Sequence, residues 1–146
     1  MSIETKILTA LFAAAMDGRE DFSSTLWPDF LDLLAQASRA ESALLKIQWQ
    51  SAPPVLWKVG ANWNAPEVAT IVRMRAGRVY SMVDLPADEI SASDAPGRAV
   101  RALKVAIGQE GMALLMLQRE GADFRTTDAL RLSILAPYIG PALKGW

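Results

Sequence analysis

The sequence predicts a single α+β domain, residues 1–146, in which helices from both ends of the chain cover one face of a five-stranded antiparallel sheet. Three observations support this fold class. Apolar residues recur at helical spacing near both termini, central segments alternate with period two, and short turns join neighbouring strands. Because strands and helices do not alternate strictly, a doubly wound parallel sheet is excluded. A short helix is expected on the second face as a lid.

Composition excludes several classes of function. The chain is 51% hydrophobic and 21% charged, which is typical of a globular protein, and it contains no histidine and no cysteine. Those absences exclude histidine general bases, cysteine–histidine dyads, Cys/His zinc sites and histidine-ligated haem. We therefore expect no cofactor, no metal site and no enzymatic activity.

Charge, hydropathy and cysteine content bear on nucleic-acid binding, membrane insertion and cellular compartment. The net charge is −1, with acidic and basic residues interspersed, so no basic face is available for nucleic acid. No apolar run reaches 18 residues, which predicts no membrane span. The absence of cysteine fits a reducing compartment, and we expect a cytoplasmic protein.

Two helices open the chain. Residues 7–16 are apolar at helical spacing, and Glu4 beside Lys6 leaves their start without the net positive charge of a signal peptide. This run therefore predicts a packed helix. Hydroxyl residues followed by Pro28 predict the entry of a second helix, which runs to about Ser38.

A hairpin and a short helix follow. Apolar and polar residues alternate over 42–50, which predicts a half-buried strand, and the proline-containing turn at 51–54 leads to a second strand over 55–59. Pro66 is placed at the start of the lid helix, which runs to about residue 76 and is closed by Gly77.

Three further strands and a helix complete the domain. The strands are predicted over 78–85, 98–107 and 112–120, with a mobile loop at 86–97 and a tight turn between the last two strands. The final helix, through Leu143, is expected to be capped by a threonine at 126 or 127 and kinked at Pro137.

The first and last helices carry more apolar residues than one face of a small sheet can cover, which predicts self-association. Flat packing of both helices on the sheet is the alternative. The expected homodimer contacts are Leu8, Leu11, Phe12, Leu135 and Ile139.

Carboxylates are the remaining candidates for chemistry. The acidic residues around the 86–97 loop are Asp84, Asp88, Glu89 and Asp94. Their spacing does not match an oxygen-ligand calcium loop, so we interpret them as a solvated acidic loop. An enzyme or metal site built on them is the minor alternative, and no catalytic residue is predicted.

Aromatic and thioether side chains predict a small-molecule site, because such groups against a concave sheet form an apolar pocket. The alternative is that the tryptophans are ordinary core residues. Arg101 shares a strand side with inward-facing residues, so it marks an exposed strand start or anchors an anion. The predicted ligand-binding residues are Trp57, Trp63, Ile71, Met74, Tyr80, Met82 and Arg101.

The C-terminal third resembles a known family. Residues 97–107 (GRAVRALKVAI), 113–117 (ALLML) and 135–139 (LAPYI) are similar to the end of the N-terminal GAF/PAS-like sensor domain of LuxR-type helix-turn-helix transcriptional regulators. The helix at 8–15 and the Trp27-Pro28 pair also resemble that family. The resemblance covers nearly the whole chain and includes no DNA-binding module within residues 1–146.

The resemblance implies a ligand-sensing regulatory domain. Such a domain binds a small, largely apolar molecule between the sheet and the lid helix, and relays occupancy through its terminal helices by a population shift. The alternative is a protein-interaction or dimerisation module whose pocket is filled by its own side chains. The function implied here rests on the analogy of fold with that family.

Overall fold

Four helices and five strands follow one another in the predicted order within residues 2–16, 26–50, 52–61, 68–81, 98–109 and 111–144, which the computed structural model describes. The helices are α1 (Ile3–Met16), α2 (Leu26–Ser38), α3 (Val68–Arg73) and α4 (Thr126–Lys144). The strands are β1 (Ser42–Trp49), β2 (Val55–Gly60), β3 (Val79–Ser81), β4 (Arg98–Ile107) and β5 (Gly111–Glu120). The predicted α+β class with a five-stranded antiparallel sheet is confirmed.

The sheet places the last strand at its centre. The strand order is β2-β1-β5-β4-β3, and every neighbouring pair is antiparallel. The β1–β2 and β4–β5 pairs are hairpins, as the turn residues predict. The β1–β5 pair is long-range, with Ser42 opposite Gln118 and Trp49 opposite Gly111.

One face of the sheet, here called the inner face, carries the main core. α2 packs on β1 and β2, α4 packs on β4 and β3, and α1 lies against both helices. Period-two alternation sends odd-numbered residues of β1, β4 and β5 into this core. Its fully buried members include Leu11, Phe30, Leu45, Leu103, Leu115 and Ile139.

The opposite face, here called the outer face, carries a smaller apolar cluster together with α3. The predicted arrangement, with terminal helices on one face and a short helix on the other, is therefore confirmed. Among the described residues, no helix is long and apolar enough to cross a membrane.

Several boundaries differ from the sequence prediction. α3 ends at Arg73, before residue 76, and the chain then turns through Gly77, whose φ of 84° suits glycine. α4 continues through Pro137 and Pro141, both of which lie on its exposed side. The predicted loop at 86–97 lies outside the described residues.

A buried carboxylate fixes the start of α4. Asp128 accepts the main-chain N–H of Arg125 at 2.9 Å, which caps the helix from inside its first turn. It also pairs with the guanidinium groups of Arg125 at 3.2 Å and Arg131 at 3.1 Å. Arg131 in turn reaches Ser38 at the end of α2 and Glu4 on α1. One network therefore joins all three inner-face helices.

A glycine allows the end of α4 to approach the sheet. At Gly140, a Cβ atom would lie 2.6 Å from the main-chain oxygen of Ala106 on β4, inside normal van der Waals contact. Gly140 is buried, and the carbonyl that it faces is part of the sheet. The close contact between α4 and β4 therefore requires a residue without a side chain at position 140.

Candidate functional site

The centre of the outer face is a row of apolar side chains that crosses four strands. Leu44 on β1 lies opposite Met116 on β5, Met116 lies opposite Ala102 on β4, and Ala102 lies opposite Tyr80 on β3. All four are buried. Because the residues alternate along each strand, this row is separate from the inner core.

α3 and the segment after it cover part of this row. Ile71 and Met74 are buried in the same cluster as Met116 and Tyr80. The Tyr80 hydroxyl accepts the main-chain N–H of Arg75 at 2.8 Å, so the polar end of this ring is used to hold the segment.

Lys104 on β4 ties the α3 segment to the sheet. Its Nζ donates to the main-chain oxygens of Val72 at 3.3 Å and Met74 at 3.1 Å, and its own carbonyl accepts the N–H of Gly77 at 2.7 Å. Residues on both sides of the turn are therefore anchored at one position of β4.

Two buried polar side chains stand next to the apolar row. Gln118 and Ser42 are directly opposite each other on β5 and β1, and they are only 3% and 4% exposed. The Gln118 Nε2 donates to the Met116 sulfur at 3.0 Å. The sequence prediction missed both residues, although Gln118 has the same strand parity as Met116 and alternation could have placed it on this face.

The structure brings three of the seven predicted site residues together: Ile71, Met74 and Tyr80 lie in the outer-face cluster. Trp63 and Met82 lie outside the described residues. Whether any of these residues contacts a ligand stays a prediction.

Trp57 lies on the inner face and so does not join the other three. Its ring stacks on Trp27 of α2, with centroids 5.4 Å apart and an interplanar angle of 17°. Trp27 also makes an edge contact with Phe30 at 6.0 Å. The cause is strand alternation, since Trp57 has the parity of Val55 and Val59, which pack against the inner core.

Arg101 also lies on the inner side, where this chain supplies its carboxylate. Its guanidinium contacts both carboxyl oxygens of Asp123, at 3.1 and 3.2 Å, and lies 5.7 Å from the centre of the Phe124 ring. Desolvation alone would raise the pKa of Asp123. The Arg101 hydrogen bond and charge, with the Phe124 main-chain N–H, outweigh it and lower that pKa.

The carboxylates considered for catalysis, Asp84, Asp88, Glu89 and Asp94, lie outside the described residues. Within the part of the chain that the structure describes, no group of three or more Asp or Glu side chains could hold a metal ion.

The predicted dimer contacts need correction. Leu11, Leu135 and Ile139 are buried in the inner core of the chain itself, so they are not available to a partner. Of the other two predicted contacts, Phe12 is exposed and Leu8 is half-buried, so both stay predictions. The further exposed large apolar side chains of these helices are Met16, Leu130, Ile134 and Tyr138. Helical spacing in the sequence did not show that Leu11, Leu135 and Ile139 face the core, because the packing of α1 across α2 and α4 that buries them is a tertiary contact.

Comparison with known proteins places the fold. No model of a known protein family matches the sequence, and no curated protein matches it. Burkholderia cenocepacia CepR2, an N-acylhomoserine lactone dependent LuxR-family transcription factor, is similar in structure over 97% of this chain and 99% of that chain. The TM-score is 0.58 and the identity 16%.

A second solved structure agrees with the first. The GAF domain of A. aeolicus nlh2, in an inactive state, matches 97% of this chain and 96% of its own, with a TM-score of 0.56 and 13% identity. At these identities the likeness concerns the fold alone. The resemblance noted in the sequence is confirmed at that level, and the chain has a GAF-like fold shared with a LuxR-family regulator.

Proposed function

We propose that the chain is a non-enzymatic, cytoplasmic sensing domain of a transcriptional regulator, and that it binds a small, largely apolar molecule on the outer face of the sheet beside α3. The observation that supports this most is the buried row Leu44–Met116–Ala102–Tyr80 with Gln118 and Ser42 at its margin. Mostly apolar walls with a few polar groups are typical of small-ligand sites. The two structural neighbours, one of them lactone-dependent, support a sensing role.

The signal would pass through β4. On the outer face Lys104 holds the α3 segment, and two residues further along the same strand Ala106 contacts Gly140 of α4. A ligand that favours one position of α3 therefore acts on the strand that carries α4. It shifts the population of α4 arrangements by its differential affinity for them.

Native mass spectrometry of the purified chain tests the proposal. We expect extra mass in the native spectrum that disappears in a denaturing spectrum of the same sample, because a retained ligand is held without a covalent bond. An unloaded protein that also binds nothing in a screen of apolar small molecules would contradict a sensing role. Sustained turnover of any screened compound would contradict the non-enzymatic part.

A second candidate function is a dimerisation module, and the exposed side of α4 favours it. The exposed apolar side chains there are Leu130 at 56%, Ile134 at 53% and Tyr138 at 44%, with Phe12 of α1 beside Tyr138, ring centroids 6.2 Å apart. No exposed residue of α4 from 126 to 143 is charged. In a two-fold dimer, residues near the axis face their own copies, so an uncharged side avoids like-charge repulsion.

Substitution of Ile134 tests this interface. If the wild-type chain is dimeric, Ile134→Asp should convert it to a monomer in the native spectrum, because two buried carboxylates would face each other. Leu56→Asp is the matched control, since Leu56 is an exposed apolar residue on β2, away from α4, and its variant should remain a dimer. A monomeric wild-type chain, or a dimer that survives Ile134→Asp, would reject this interface.

A further inference from the structure

We propose that Gln118, with Ser42 opposite it, is the polar anchor of the ligand and selects an uncharged hydrogen-bonding head group over a carboxylate. This inference rests on the proposed ligand site and specifies what that site recognises. The ligand class is then a neutral molecule with an apolar body and one carbonyl, amide or hydroxyl group. Neither residue was among those predicted from the sequence.

The first argument is the poor partner of a buried amide. Gln118 is 3% exposed, and its Nε2 donates to a thioether sulfur at 3.0 Å. Sulfur in Met116 is a weak acceptor, and burying an amide with poor compensation is costly. A ligand oxygen would be a better acceptor for this donor, and Met116 is flexible enough to move aside.

The second argument is the position of the pair. Gln118 is flanked on β5 by Met116 of the apolar row, and across the sheet it lies between Ser42 and Val100. Directly opposite side chains of neighbouring strands lie close enough to act on one group. A ligand whose apolar body covers the row would therefore place its polar end at Gln118 and Ser42.

The third argument is charge. The charged residue that follows Gln118 on the same side of β5 is Glu120, which would repel an anion. On β4, the ammonium group of Lys104 is hydrogen-bonded to main-chain oxygens. Arg101, the basic residue first considered for a carboxylate, lies on the inner side and is paired with Asp123. Neither of these two cations is available to a carboxylate at Gln118, and burying a carboxylate without a cationic partner is strongly unfavourable.

The test uses two probes of the same shape, octanamide and octanoate, at pH 7.5. Methionine methyl groups labelled with carbon-13 report binding by NMR. Met116 and Met74 lie at the site, and the exposed Met16 at the end of α1 is the reference. We expect octanamide to shift the signals of the two site methyls. Octanoate should need at least about a tenfold higher concentration for the same shift.

Variants assign the preference to Gln118. Gln118→Leu keeps the size of the side chain and removes the amide, so it should weaken octanamide binding about tenfold and abolish the preference over octanoate. Gln118→Met serves the same purpose if the leucine variant does not fold. Gln48→Leu is the matched control, because Gln48 is a glutamine of β1 on the same outer face of the sheet. Its Nε2 donates a hydrogen bond to the main-chain oxygen of Trp49. The control should retain the preference.

The outcomes separate the two proposals. If neither probe shifts Met116 or Met74, the ligand site itself is wrong and the inference falls with it. Equal binding of both probes, or a preference that survives Gln118→Leu and Gln118→Met, would overturn the role of Gln118 and leave the site standing. Loss of the preference in the Gln48→Leu control would also overturn it.

Discussion

Replacing Asp128 with alanine should lower the free energy of unfolding by about 3 kcal/mol, the largest effect expected for any polar residue described. The Asp128 side chain is fully buried, and it accepts hydrogen bonds from the Arg125 main chain and from two guanidinium groups. Alanine would leave Arg131, whose side chain is only 12% exposed, without its buried counter-charge. It would also remove the cap of α4. Urea denaturation followed by tryptophan fluorescence measures the change.

The pH dependence of the same carboxylate supplies a control. Desolvation of Asp128 would by itself raise its pKa, but the hydrogen bonds from Arg125 and Arg131 and the charge of Arg125 outweigh it and hold the pKa below its ordinary value. Because the folded pKa is the lower one, the stabilisation is complete well above the ordinary carboxyl pKa and is lost as the pH falls through the folded value. The difference between the wild-type chain and Asp128→Asn should therefore be larger at pH 7 than at pH 3. A difference that grows at acid pH would contradict this account.

Gly140→Ala should destabilise the fold by about 2 kcal/mol, because the new methyl group would push α4 away from the Ala106 carbonyl. Helix propensity alone predicts the opposite sign, since alanine is favoured over glycine inside a helix by about 1 kcal/mol. The sign of the change in a thermal or urea unfolding experiment therefore decides between close packing and propensity.

Pro141→Ala is the matched control for that experiment. Pro141 is the next residue of α4 and is exposed, and alanine there restores a main-chain donor within the helix. This variant should be at least as stable as the wild-type chain. If Gly140→Ala stabilises the fold as Pro141→Ala does, the contact with β4 does not constrain α4.

The fold was predictable where the signals are local. Alternation over β1, β4 and β5 and the turns of the two hairpins depend on neighbouring residues, so their positions agree with the structure to within one or two residues. The threonine cap expected for α4 was not found as such, since the helix begins at Thr126 and Asp128 caps it. The additional partners of Asp128 in this network lie on α1 and α2, far away in the sequence.

The site was predicted only in part, because it depends on which face of the sheet each side chain occupies. Residue type suggested that Trp57 binds a ligand, whereas the parity of β2 places it on the inner side. The sequence did place Arg101 on the inward-facing side of its strand, but that side belongs to the inner core, where Arg101 pairs with Asp123. Ile71, Met74 and Tyr80 were identified from their apolar character and do share the outer face. Gln118 was overlooked since a polar residue near a strand end is typically exposed.

The central position of β5 sets a constraint on how the protein folds during synthesis. β1 lies between β2 and β5, so the ribosome must produce the chain through residue 120 before β1 can complete its pairing. Until then the β1–β2 hairpin exposes the unpaired edge of β1 in the nascent chain. Such a high-contact-order sheet forms late and slowly, and its first half is the part most exposed to aggregation and to chaperone binding.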